Sequence, residues 1–124
     1  MFKLSDATDT YHWAITVKMP FNGSYKKLPV KVTYNRLPHD ERVDLQNQIN
    51  DAVNDADSRQ DAENNFFNKV FAGWADGQVK DEEGNDLEVN EGNKQALLGI
   101  TEFRTAVMDG YFDSIEGNKI KQKN

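Results

Sequence analysis

The sequence predicts an α+β fold, an N-terminal antiparallel β-hairpin or small sheet packed against a C-terminal bundle of about four helices. Three observations predict it. Apolar residues alternate through residues 11–19 and again through 28–34, the period of half-buried strands. Beyond Pro38 the apolar spacing changes to threes and fours, the period of helices. Most large aromatic side chains outside those strands fall within residues 66–112, so the helical half of the core is built there. Strands followed by helices, without alternation of the two, indicate α+β in preference to repeated βαβ units.

In the first strand Tyr11, Trp13, Ile15, Val17 and Met19 share one face, and His12, Ala14, Thr16 and Lys18 the other. Leu28, Val30, Val32 and Tyr34 repeat the pattern, and Asn22-Gly23 between them tolerates positive φ, so a long-looped hairpin is expected. Pro29 cannot donate to a ladder, which puts the second strand, or its start, at an edge. Phe2 and Leu4 are candidates for a short third strand. A helix begins near Pro38 to Asp40, with Asp40 and Glu41 complementing its dipole. Its stripe is Leu45, Ile49, Ala52, Val53 and Ala56, small-sided and so peripheral.

Ser58 and Asp61 form a candidate capping box for a helix over 59–72. Its stripe is Ala62, Phe66, Phe67, Val70, Phe71 and Trp74, with Gly73 as terminator. This stripe is the expected centre of the core, with Trp74 buried. Val79, Gly84-Asn85, Leu87 and Val89 read as two very short strands around a turn. Asn90 caps a short helix ended by Gly99. Thr101 caps the last helix, whose stripe is Phe103, Val107, Met108, Tyr111, Phe112 and Ile115. Within it Gly110 costs roughly 0.5–1 kcal/mol relative to Ala, and Gly117 is the stop.

A chain of 124 residues has the length of one domain, here expected to span 1–117, with 118–124 as a disordered charged tail. The absence of cysteine removes disulfides, thiolate nucleophiles and Cys-ligated metals. No apolar run suits a signal peptide or a membrane span, so a cytoplasmic protein without membrane contact is expected. The net charge of −6 is unevenly spread: residues 1–36 carry +4, residues 37–117 carry −13, and Lys119, Lys121 and Lys123 add +3. An acidic body repels nucleic acid and anionic membrane, and its opposite-charge halves would favour ordered self-association or a basic partner.

Residue types that carry chemistry do not converge on a site. His12 and His39 lie in different elements without a helically spaced partner. An EF-hand reading of the acidic run around Gly84 would need Val79 and Asn90 as ligands, and neither fits. Ser5, Ser24, Ser58 and Ser114 lack nucleophile-elbow glycines, and Gly73-Trp74-Ala75-Asp76-Gly77 lacks the Lys-Ser/Thr of a phosphate loop. No catalytic, metal-binding or cofactor-binding residue is therefore expected. The hairpin couples Lys18, Lys26, Lys27, Lys31 and Arg36 with Phe21, Tyr25 and Tyr34, an aromatic-plus-basic recipe for nucleic acid that the acidic body opposes. Phe21 and Tyr25, at the loop, have the weakest claim on the core and are the candidate partner-contact residues.

The order of features across residues 66–112 resembles the small tail assembly chaperones of long-tailed phages and prophages. An apolar helix ends Val70-Phe71-Ala72-Gly73-Trp74. Val79-Lys80-Asp81-Glu82-Glu83-Gly84-Asn85 follows, then Leu87-Glu88-Val89-Asn90, a short helix with Leu97-Leu98, and Ala106-Val107-Met108-Asp109-Gly110-Tyr111-Phe112. Residues 87–92 differ from the Pro-Phe-Ser/Thr type of helix entry of that family. The resemblance implies a non-enzymatic protein of the infected host's cytoplasm, absent from the finished virion. It would bind the tape measure protein, around which tail tube subunits are recruited. The alternatives are a structural tail component retained in the virion, and an acidic domain that mimics nucleic acid.

Overall fold

The structure, a computed structural model, describes residues 1–52 and 54–117. Its N-terminal hairpin pairs β1 (Thr10–Phe21) with β2 (Ser24–Asn35) in a register running from Thr10 opposite Asn35 to Phe21 opposite Ser24. Asn22 and Gly23 alone make the turn, at φ 48° and 81°. Positive φ at both central residues gives the turn whose twist matches the strands, so the hairpin closes tightly where a longer loop was expected. Phe2 and Leu4 do not form a strand. They are exposed beside a single 3₁₀ turn, Leu4–Asp6, where the Asp6 carboxylate accepts the Lys3 amide at 2.9 Å.

The third strand comes from a stretch that reads as helix. Helix α2 (Ala56–Val70) stops at Val70, and the chain passes directly into β3 (Phe71–Trp74), antiparallel to β2 with Val32 opposite Trp74 and Tyr34 opposite Phe71. Gly73 permits this. Its φ of +141° suits glycine, and a Cβ there would lie 2.5 Å from Val89 Cγ1. Helical spacing of aromatics cannot separate a helix end from a short strand. The open edge of β2 decides it, because the 71–74 backbone pairs there. The sheet order β1-β2-β3 makes β2 central over Val32–Tyr34. Pro29 lies before that paired part, at the edge-like start of the strand.

Four α-helices occur among the described residues. Helix α1 (His39–Asp51) starts behind Pro38 and buries only Leu45 fully, with Ile49 half-buried, in keeping with a peripheral helix. Of its expected stripe, Ala56 belongs to α2 and is exposed, and Val53 lies outside the described residues. Asp55, not Ser58, caps α2: its carboxylate accepts the Asp57 amide at 3.2 Å and the Ser58 hydroxyl at 2.7 Å. Helix α3 (Glu91–Leu98) is capped by Asn90, which accepts the Asn93 amide at 2.8 Å. Helix α4 (Thr101–Glu116) starts one residue earlier than expected, with Ile100 at the cap position and Thr101 already helical. Between β3 and α3, residues 79–89 form one isolated bridge, Lys80 to Asp86, in place of two strands. The tail 118–124 and its expected disorder lie outside the described residues.

The inner face of the sheet buries Ile15, Val17, Val32 and Tyr34 against Phe66, Phe67 and Val70 of α2 and Phe103, Val107 and Tyr111 of α4. Phe66 is the hub of the rings, edge-on to Phe67 (5.2 Å) and Tyr111 (5.4 Å) and stacked on Phe112 (5.6 Å). Such pairs add to area burial. Trp74 is buried as expected, and its Nε1 donates to the Leu87 carbonyl at 3.1 Å, pinning the following loop to the sheet. Arg104 lies 4.5 Å over the Phe67 ring and pairs with Glu63 at 3.3 Å.

Helix α4 meets the sheet most closely at Gly110. A Cβ there would sit 2.4 Å from Ile15 Cγ2 and 2.7 Å from the Tyr34 hydroxyl. That hydroxyl donates to the Val107 carbonyl at 2.6 Å, one turn back on the same helix. The glycine that weakens the helix on propensity is therefore what lets it dock.

The close approach at Gly110 reverses the usual effect of adding a methyl group. In an unconstrained helix Gly→Ala stabilises by about 1 kcal/mol. Here Gly110→Ala should instead destabilise by about 1–3 kcal/mol through overpacking, measured by urea unfolding, and a gain in stability would show that α4 does not approach so closely. Burial raises the Tyr34 phenol well above its ordinary pKa and pushes Tyr111 up to about 12, in both cases helped by Tyr11. Folded pKa values above the unfolded value of 10.0 mean that this stabilisation is complete below pH 10 and is lost as pH rises toward 12. Denaturant midpoints measured across that window should fall, and fall less in Tyr111→Phe.

Candidate interaction groove

The strands of the hairpin are 12 residues each, whereas β3 covers only the Val32–Tyr34 end of β2. The remainder projects as a two-stranded arm, and in β2 every residue from Ser24 to Pro29 is exposed. Opposed residues share a face, so Leu28 opposite buried Val17, and Met19 opposite Lys26, continue the inner face toward the hairpin tip. The arm thus carries apolar side chains to a place where the body no longer covers them.

A groove of about 520 Å3 results, lined on the arm by Val17, Met19, Leu28, Pro29 and Val30. Gln78, Val79 and Lys80 form its second wall, and Leu97, Ile100 and Phe103 its third. Each wall has a local cause. Lys31 extends the β2 ladder by accepting from Ala75 N at 3.0 Å and donating to Gln78 Oε1 at 2.8 Å, which holds the 75–78 segment against the strand. The Ile100 amide donates to the Leu97 carbonyl at 3.0 Å, making the tight α3–α4 corner that turns Ile100 outward. Leu28 is 39% exposed and Ile100 41%, while Val17 and Phe103 are buried and form the floor. Among the described residues Lys80 is the one charged side chain in the lining, and it pairs with Asp86 at the surface. Residues 10–39 hold no Asp or Glu but five Lys and Arg, so the arm wall belongs to a basic ribbon on an acidic body.

Phe21 and Tyr25 are 59% and 66% exposed at the hairpin tip. They stand on opposite faces, since Phe21 shares the inner face with Met19 while Tyr25 pairs with Pro20 on the outer one. Lys26 Nζ sits 5.4 Å over the Phe21 ring. The tip and the groove are therefore continuous only through Phe21 and Met19. Met19, Leu28, Val79 and Ile100 gave no separate signal, because an apolar residue at strand or helix spacing reads as core whether or not a neighbour covers it. The mismatch in strand lengths that uncovers them is a tertiary property.

The residues weighed for chemistry are engaged elsewhere. His12 Nδ1 and the Thr33 hydroxyl share a hydrogen bond of 2.8 Å across the outer sheet face, and His39 starts α1. The Asp81 carboxylate accepts the amides of Glu83 and Asn85, each at 2.9 Å, and Gly84 takes φ +87°. The acidic run is thus an Asx-type turn with its leading carboxylate already satisfied. Among the described residues no group of three or more His, Asp or Glu is placed to hold a metal, and no helix is long and apolar enough to cross a membrane. Ser114 bonds Tyr11 and the Tyr111 carbonyl, holding α4 to β1.

Compared with models of protein families, with curated proteins and with solved structures, this chain matches none.

Because both tip aromatics are exposed, Tyr25→Ala should change stability by no more than about 0.5 kcal/mol. Phe21→Ala, which also removes the ring beneath Lys26, should cost no more than about 1 kcal/mol. Chemical denaturation checks both, and a larger loss would place these rings in the core.

Proposed function

We propose that this protein is a non-catalytic tail assembly chaperone of a long-tailed phage or prophage. In the host cytoplasm it binds the tape measure protein and keeps it soluble until tail tube subunits gather around it. The observation that supports this most is the exposed apolar groove between the hairpin arm and the α3–α4 corner. Contiguous apolar surface rimmed by polar residues is the mark of a protein-binding site, and it sits on a chain whose 66–112 segment resembles that chaperone family.

The division of labour is consistent with the reading. The motif positions Phe71, Trp74, Val107 and Tyr111 are buried, so that segment builds the scaffold and contact falls to what the scaffold leaves uncovered. A chaperone must release its client, which calls for modest affinity, and a partly open groove with little charge suits that better than a deep cleft. The acidic body adds solubility while an aggregation-prone client is held.

Co-expression with the tape measure protein of the same phage should raise the soluble fraction of that client and yield a complex that co-purifies. Neither effect appearing would sink the proposal. Mass spectrometry of purified particles should find the protein missing, and its presence in stoichiometric amount would identify a retained tail component instead.

A further inference from the structure

We infer that the groove receives an amphipathic α-helix of the partner protein, one whose apolar stripe is flanked by Asp and Glu. The inference rests on the client-binding reading above and narrows it to a surface and a client chemistry.

Backbone geometry selects a helix. A strand would have to add to the edge of β2 that borders the groove, and that edge is interrupted there. Residues of β2 that face β3 alternate, and Lys31 already uses both its N–H and its C=O toward that side. The next residue facing the same way is Pro29, which has no N–H to offer. A partner laid in the groove therefore has to satisfy its own backbone, and an α-helix does so while presenting a row of apolar side chains. Leu28, Ile100 and Met19 are the side chains it would meet, over the floor of Val17 and Phe103.

Charge selects an acidic rim. Lys80 stands in the lining, and Lys26 stands opposite Met19 on the inner face of the arm. No carboxylate lies in residues 10–39. The Lys80–Asp86 pair is exposed on both sides, so it holds the lysine only weakly and leaves it able to meet an incoming carboxylate.

The test uses labelled synthetic helices of about 15 residues, long enough for a few turns, titrated against the full chain by fluorescence anisotropy. One carries a leucine stripe with Glu flanks, one the same stripe with Lys flanks, and one the Glu composition with the stripe scrambled. The first should bind about tenfold tighter than either of the others. Leu28→Asp and Ile100→Asp should each weaken it about tenfold. Both sites are exposed, and Asp is a favoured cap at position 100, so circular dichroism should find both variants folded. Lys80→Glu should narrow the gap between the Glu and Lys probes. Equal binding of all three probes, or binding untouched by both groove variants, would overturn the inference. In co-expression, a tape measure complex that survives both variants would remove the groove while leaving the chaperone reading intact. Probe discrimination without any such complex would do the reverse.

Discussion

Tyr34 sits wholly buried in the central strand, and its phenol has to find an acceptor inside the core because an unbonded buried hydroxyl is expensive. The acceptor is the Val107 carbonyl, a backbone group of α4, reached at 2.6 Å. That distance exists only because position 110, one turn on, carries no side chain to strike Ile15 or the hydroxyl itself. The placement of α4 on the sheet is thus set jointly by a polar requirement and a steric one. Once α4 is at that depth, Tyr111 meets Tyr34 edge-on at 5.4 Å and Phe66 at the same distance, so the ring network between α2, α4 and the sheet depends on the same contact.

The second decisive feature is the change from helix to strand between Val70 and Phe71. With no intervening loop, Phe67, Val70, Phe71 and Trp74 all stay buried although the backbone changes type midway. Because β3 is only four residues long, it pairs with one end of β2 and leaves the tip-side half of that strand without a neighbour on its outer edge. The arm, the groove beneath it and the edge guarded by Pro29 are consequences of this mismatch. A two-stranded ribbon is marginal alone, and here Met19, Val30 and Val79 packed at its base anchor it to the core.

Electrostatics separate the surface by role. The basic ribbon ends where the acidic helices begin, and the acidic turn at 81–86 is organised by its own backbone amides around Asp81. Side-chain oxygens engaged in caps and turns, at Asp55, Asp81 and Asn90, hold local structure. The groove wall brings exposed Leu28 and Ile100 together over an apolar floor, which is why contact is the function put forward for it.

Local chemistry alone determined a good deal. Period-2 alternation and Asn22-Gly23 specified the hairpin. Asn90, Gly99 and Gly117 marked helix ends, and the faces of α2 and α4 were legible from Phe66, Phe67, Phe103, Val107 and Tyr111. The solvent-facing positions of Phe21 and Tyr25 followed from their place at a turn. These properties depend on residues within a few positions of one another. What tertiary structure alone decided depends on partners distant in the chain. Residues 71–74 join a sheet whose other strands form before Pro38, Gly110 is a docking notch and not a flaw, and Leu28 and Ile100 remain uncovered. Pairing and close approach are set by which surfaces meet, and a linear pattern of apolar residues does not record what lies across from it.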